Sequence, residues 1–260
     1  MVAALILFPN MPFTFSHPAA IVPFRLLPKK WTSLTGLVTG SIVPDFEKFL
    51  KMEGGNTFSH SWEGLLWFNI PLGVCLALLF HVVVRNPLLD NLPLLLKQKL
   101  ICFRGYDWYK YFRENFFVVI LSILFGAVSH LLLDSLTHNN NLTLQLLPFL
   151  KVKITLWNHS IQLFQLLDLI CSVLGGFLIL LLLIKLPSSK SKPRKSKSFD
   201  FYWLLVLTIA VLAIVLRLSF NFNVNDYWSL LFTTISAVLI GVTISSLIFK
   251  GLKLEQKRCD

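Results

Sequence analysis

The sequence predicts an all-α polytopic membrane protein with about five transmembrane helices and one re-entrant or half-inserted helix near the N-terminus. Three observations predict it. Of 260 residues, 55% are hydrophobic and 14% are charged, whereas a soluble domain carries about 25% charged residues. Apolar runs recur along the chain, each near the roughly 20 residues that a helix needs to cross a bilayer. The 24 Lys and Arg residues fall mostly between those runs. A net charge of +11 would otherwise suggest nucleic acid as partner. Its placement in loops assigns it to lipid headgroups and topology instead, so membrane lipids are the expected partners.

The elements follow in chain order. The first nine residues are too short for a signal peptide and lack a basic start, and Met11 opens a more coherent segment as an alternative start. Residues 31–43 are apolar but short, and they meet Pro44-Asp45. They predict the half-inserted helix, of a kind tolerated where protein or water covers its backbone. A sixth full span is the alternative. Spans are predicted over residues 62–84, 116–138, 161–184, 201–218 and 228–249. The fourth is short, and Arg217 must snorkel at its end. Trp62, Trp67, Tyr202, Trp203, Tyr227 and Trp228 stand near the run ends, as an interfacial aromatic belt would. Residues 88–103 read as an amphipathic helix on the cytosolic leaflet. Residues 187–200 form a basic flexible linker. The chain divides into an N-terminal region, 1–138, and a C-terminal set of helices, 139–260. Cys75 and Cys171 lie in apolar runs and Cys102 and Cys259 in basic loops, with no disulfide or metal-ligand spacing.

Charge bias orients the spans. Residues 85–113, 185–197 and 250–258 hold sixteen of the basic residues, and the other side holds eight. The richer side is expected to be cytoplasmic, together with the C-terminus. His130, Asp134 and His138 then lie in the outer half of the second span, and His17, Asp45 and His60 precede the first span on the same side.

Ser129-His130-Leu-Leu-Leu-Asp134-Ser-Leu-Thr-His138 is the strongest chemical signal. Steps of four keep the two imidazoles and the carboxylate on one helical face. Ionisable groups inside a span are costly and point to function. His130 and His138 are about 12 Å apart along the axis, so one ion cannot easily take all three groups, whereas His130 and Asp134 can share one. A bland reading, a polar lock between helices, competes with it. Pro44-Asp45-Phe-Glu47 supplies carboxylates, read alternatively as acids at a helix N-terminus. Ser59-His60-Ser61 stands at the mouth of the first span, with Glu63 one turn on as a candidate acid or base. His17 stands in Ser16-His17-Pro18 near the start. Asp168 lies in the third span, where it is either part of the same cavity or a buried polar link. His81 and His159 read as solvated. No phosphate-binding loop, dinucleotide fingerprint, zinc-finger spacing or HExxH occurs, and no inverted repeat is evident, which weighs against a transporter.

These motifs, with the opening Met11-Pro-Phe-Thr-Phe-Ser-His17-Pro-Ala-Ala20 and Gly40-Ser-Ile-Val-Pro-Asp45-Phe-Glu47, resemble an uncharacterised bacterial family of multi-pass membrane proteins, a domain of unknown function. The order PD, HS, SHxxxD is similar to the inner-membrane metal-dependent hydrolases of the YdjM type, which distantly resemble zinc-dependent phospholipases C. The resemblance covers most of the chain and is strongest from Met11 to His138. It implies a bacterial inner-membrane location and metal ligands at Asp45, His60, His130 and Asp134, with His17 as a further one. The fuller histidine–arginine–glycine motif ahead of the HS pair is absent, and Asn56-Thr57-Phe58-Ser59 stands there instead.

The expected function is therefore metal-dependent hydrolysis of a lipid or lipid-linked phosphoester at the membrane face. A divalent ion, zinc by preference, activates water, and His138 or Glu63 moves the proton. A non-enzymatic scaffold or lipid-binding protein with a structural polar cluster is the alternative, and a proton or metal transporter the third. The substrate and the oligomeric state are not legible in the sequence.

Overall fold

The structure, a computed structural model, describes residues 14–28, 30–156, 159–189, 193–220 and 226–259. The alternative start at Met11 and the middle of the basic linker lie outside the described residues. Among the described residues, five helices are long and apolar enough to cross a membrane, in agreement with the predicted class. A short helix, α1 (Leu34–Ile42), precedes α2 (Trp62–Asp90), α3 (Phe116–Thr137), α4 (Leu163–Lys185), α5 (Phe199–Leu218) and α6 (Tyr227–Cys259).

The nine residues of α1 rise about 14 Å, half of a hydrocarbon core about 30 Å thick. This length fits the half-inserted reading and excludes a sixth full span. Ser33 caps its start, Oγ accepting from the Gly36 amide at 3.3 Å. Pro44 falls in the 3-10 turn Val43–Asp45 that ends it.

Helix α2 runs six residues past its predicted end and is not a uniform α-helix. Two π-helical stretches, Leu65–Asn69 and Leu79–Val84, each lie shortly before a proline, Pro71 and Pro87. A proline inside a helix removes one amide donor and crowds the preceding turn. The wider turns accommodate this without ending the helix. The predicted amphipathic helix over 88–103 is instead interrupted. Its start is the last turn of α2, and after Asn91 the chain re-enters helix at Leu94–Leu100 behind Pro93, then a 3-10 turn at Ile101–Phe103. The third span starts at Leu163, because His159–Gln162 pair antiparallel with Lys153–Leu156 in a two-stranded hairpin that helical periodicity did not reveal.

The chain divides into two compact units, each assembled from separated segments. Residues 1–44, 59–73 and 117–183 form the first, and 45–58, 74–116 and 184–260 the second. In the first, α1 lies against α3 at very short range. A Cβ on Gly40 would stand 2.1 Å from the Ile123 carbonyl oxygen, and one on Gly126 would stand 2.4 Å from the Leu37 carbonyl oxygen. The Ser33 amide donates to Ser122 Oγ at 2.8 Å across this contact. Leu37, Val119, Ile123 and Ala127 are buried.

In the second unit, Tyr202, Val206 and Phe249 make the centre of an apolar cluster. Tyr202 and Ser246 hydroxyls are 2.9 Å apart, and Trp203 Nε1 donates to the Asn91 carbonyl at 2.7 Å. Asp226 caps α6: Oδ1 accepts from the Trp228 amide at 3.1 Å and Oδ2 from Ser229 Oγ at 2.5 Å. The Ser229 hydroxyl bond, chiefly, holds that carboxyl below its ordinary pKa.

Candidate metal centre

His17, His60, His130, Asp134 and His138 all belong to the first unit. Three separate chain segments deliver them. His17 stands in the 3-10 turn Thr14–Ala19, which rests on α4 at a glycine: a Cβ on Gly175 would meet the Ser16 carbonyl oxygen at 2.9 Å. His60 precedes α2. His130, Asp134 and His138 follow one another on a single face of α3, as their spacing of four requires. His17 and His130 are fully buried.

Asp134 is the centre of the group. His60 Nε2 lies 3.1 Å from Oδ2, His130 Nε2 3.4 Å from Oδ2, and His17 Nε2 3.6 Å from Oδ1. The His17 and His130 rings stack, with centroids 3.9 Å apart and planes 24° from parallel. His60 meets His130 edge-on at 5.4 Å. Oδ1 of Asp134 is buried and has no hydrogen-bond partner among the described residues.

The protonation state of His130 follows from its other nitrogen. Nδ1 lies 2.7 Å from the Ser41 carbonyl oxygen, which only accepts, so Nδ1 carries the hydrogen. In a neutral ring Nε2 is then a bare lone pair, and it faces a carboxylate oxygen. Two acceptors face each other only with a cation or an extra proton between them. A carbonyl on the far nitrogen is also the usual way in which a protein orients a metal-binding imidazole. The separations suit a shared ion: two donors at about 2.0–2.1 Å from a tetrahedral zinc stand roughly 3.3–3.4 Å apart. Ligand atoms of His17, His130 and Asp134 all lie within 4.8 Å of one another. Nitrogen donors with one carboxylate fit zinc.

Neighbours hold this arrangement. The close approach of α1 to α3 brings the Ser41 carbonyl to His130. Ser59 Oγ is 3.1 Å from His60 Nδ1, and Asn69 Nδ2, on the π-helical stretch of α2, donates to the Ser59 carbonyl at 2.9 Å. Ser41 and Asn69 were not singled out as site residues in the sequence. The GxxxG spacing of Gly36 and Gly40 and a lone Asn within an apolar run were the available signals.

The remaining candidates make the following contacts. His138 Nδ1 is 3.1 Å from the Asp134 backbone carbonyl and 3.9 Å from Oδ1; it follows α3 and is partly exposed, as is His60. Glu63 is exposed in the first turn of α2, where the helix dipole favours an acid. Asp45 belongs to the second unit and is buried, with Oδ1 receiving Lys48 Nζ at 2.5 Å and Asn56 Nδ2 at 3.1 Å. Glu47 is held by Lys51, the Thr57 hydroxyl and the Thr57 and Phe58 amides. Asp168 is buried on α4. His81 is not simply solvated: it stacks on Trp108 at 4.7 Å and accepts from Arg85 Nη1 at 3.0 Å. The side chain of His159 lies outside the described residues.

A family model, a domain of unknown function designated DUF4184, matches residues 11–248. No curated protein and no solved structure matches the chain.

Proposed function

The chain belongs to the DUF4184 family, and we propose that it is a membrane-embedded, metal-dependent hydrolase acting on a lipid or lipid-linked phosphoester. One observation carries this reading: the His130 lone pair on Nε2 faces Asp134 Oδ2 at 3.4 Å while its Nδ1–H is committed to the Ser41 carbonyl. Three imidazoles around one carboxylate supply electron pairs for a divalent cation; neutral His60 can donate from Nε2 to Asp134, so the His130 contact is the one that calls for a cation or a proton.

His17, His130 and Asp134 would hold the ion with three donors and leave the fourth position to water, with His60 Nε2 resting on Asp134 Oδ2 at 3.1 Å beside them. Bound zinc supplies Lewis acidity and a water that deprotonates near neutral pH. The residues do the remainder. Asp134 sets the negative charge of the site and orients three rings. Ser41 fixes the tautomer of His130. His138, at the exposed end of α3, carries the proton to and from solvent, with Glu63 as the second candidate for that role. The motif order PD, HS, SHxxxD, similar to the YdjM-type hydrolases, supports the same chemistry. We place the site at the outer face of a bacterial inner membrane with the C-terminus in the cytoplasm, on the charge bias of the loops.

Elemental analysis of detergent-purified protein tests the reading. Wild type is expected to hold about one zinc per chain, and His130→Ala and Asp134→Ala, folded by their elution and helical content, to lose it. Asp45→Asn, measured beside them, decides whether that carboxylate joins the ligand set. Folded wild type that takes up no divalent metal even when zinc is supplied sinks the proposal and leaves the cluster a polar lock between helices.

A further inference from the structure

We infer that the connection after the second span is an interfacial platform that dips into the lipid leaflet beside the metal site. It begins two residues beyond His138 with an Asn140 cap, whose Oδ1 accepts from the Thr143 amide at 3.1 Å. It continues through a short helix, Asn141–Leu146, and a 3-10 turn, Pro148–Lys151. Leu144 and Leu150 are buried against Phe164 of α4, with Leu147, Leu163 and Leu167 around them. That small core fixes which side of the segment faces out.

The outward side carries large apolar side chains beside exposed Asn141 and Gln145. Leu142 is 67% exposed, Leu146 72%, Phe149 55% and Val152 54%. Leu142 and Leu146, four residues apart in the short helix, share one face, and Phe149 follows in the 3-10 turn. A loop in water presents the opposite pattern, and a contiguous exposed apolar ridge marks a contact surface. The occupant that fits is the headgroup–acyl boundary. The segment is tied at one end to α3 and at the other, through the hairpin, to α4, both membrane-spanning by length and composition. Exposed Lys151 and Lys153 stand at the C-terminal end of the ridge, on either side of Val152, which suits ammonium groups at the level of lipid phosphates.

This surface exists whether or not the site hydrolyses anything. Taken with the proposed function, on which this step rests, it selects the substrate source. Asp134 is one turn inside α3 and His138 at its end, so the platform holds a leaflet phosphoester at the depth of the ligands, and a membrane-resident substrate is favoured over a soluble one.

The test uses full-length protein with Cys75, Cys102, Cys171 and Cys259 replaced by serine. An environment-sensitive fluorophore is attached at Leu146→Cys, or at Lys197→Cys in the basic linker as the reference. Proteins are reconstituted into phosphatidylcholine vesicles with and without phosphatidylglycerol. At position 146 the emission is expected to shift to the blue, iodide quenching to fall several-fold below the linker reference, and spin-labelled lipid to quench strongly. Lys151→Gln/Lys153→Gln is expected to abolish any deepening caused by the anionic lipid. Emission and iodide quenching equal to the linker reference overturn the platform. A blue shift without lipid quenching, lost on dilution into excess lipid, also overturns it and assigns the ridge to a protein contact. Zinc content of the labelled protein is measured in parallel, so failure of the platform and failure of the metal reading are separate results.

Discussion

Asn69, outside the proposed ligand set, is placed to steer the site. It is fully buried, and its Nδ2 holds the Ser59 carbonyl at 2.9 Å, next to the Ser59 hydroxyl that faces His60 Nδ1. Groups that orient metal-bound imidazoles through such a link typically contribute 10–100-fold in metal affinity. Asn69→Ala is expected to weaken zinc binding by about 10-fold or more, read by competition with a chelator of known affinity. Helical content should stay unchanged. Affinity equal to wild type would reduce Asn69 to a packing role. His130 illustrates the same logic inside the ligand set. Its spacing from Asp134 was legible in the sequence, whereas its tautomer depends on Ser41, 89 residues away.

At the scale of elements, the α1–α3 contact decides whether the site exists. Gly36, Gly40 and Gly126 allow two backbones to approach within a distance that any Cβ would prevent. At Gly40 and Gly126 an added methyl would meet backbone at 2.1 and 2.4 Å, at Gly36 it would meet Ser122 Cβ and the Val119 oxygen at 2.8 Å, and at Gly176 it would meet nothing within 4 Å. Overpacking of this kind costs about 1–3 kcal/mol. Gly40→Ala and Gly126→Ala should therefore melt earliest in detergent, Gly36→Ala next, and Gly176→Ala like wild type. The first two should also lose zinc, because separating the helices withdraws the Ser41 carbonyl. Equal melting of all four would show that the close approach carries no energetic weight. The irregular turns of α2 belong to this scale too. Pro71 and Pro87 were visible in the sequence, but they mark π-helical stretches rather than helix ends, because the surrounding apolar run favours continuing the hydrogen-bonded backbone.

Across the whole molecule, charge is the main guide to function. Basic residues concentrate in residues 85–113, 185–197 and 250–258, which predicts a cytoplasmic C-terminus and an outer site. A reporter active only in the cytoplasm should signal when fused after Asp260 and stay silent when inserted after Asn140. Signal at both positions, or at Asn140 alone, would overturn the orientation and move the site to the other face. Several lysines on the basic side already serve structure. Lys99 Nζ donates to the Ile184 and Leu186 carbonyls at 2.8 and 2.7 Å, and Lys250 Nζ to the Val82 carbonyl at 3.0 Å. Lys99 thus satisfies carbonyls at the end of α4, and Lys250 one in the second π-helical stretch of α2.

The sequence by itself determined the class, the five spans and the half-length helix ahead of them, because hydropathy and run length act locally and a bilayer imposes one scale on every segment. It also determined that His130, Asp134 and His138 share a face, since helical periodicity is a property of one element. It missed the hairpin, whose four-residue strands carry little periodic signal, and it placed the start of the third span inside it. Only the tertiary structure decided that His17 and His60 join Asp134, that Ser41 fixes His130, and that Asp45 lies in an ion pair with Lys48. The first two outcomes depend on contacts between residues tens of positions apart, helped by glycines whose close approach has meaning only once a second backbone is there to meet them, whereas the Asp45–Lys48 pair is local, three residues apart.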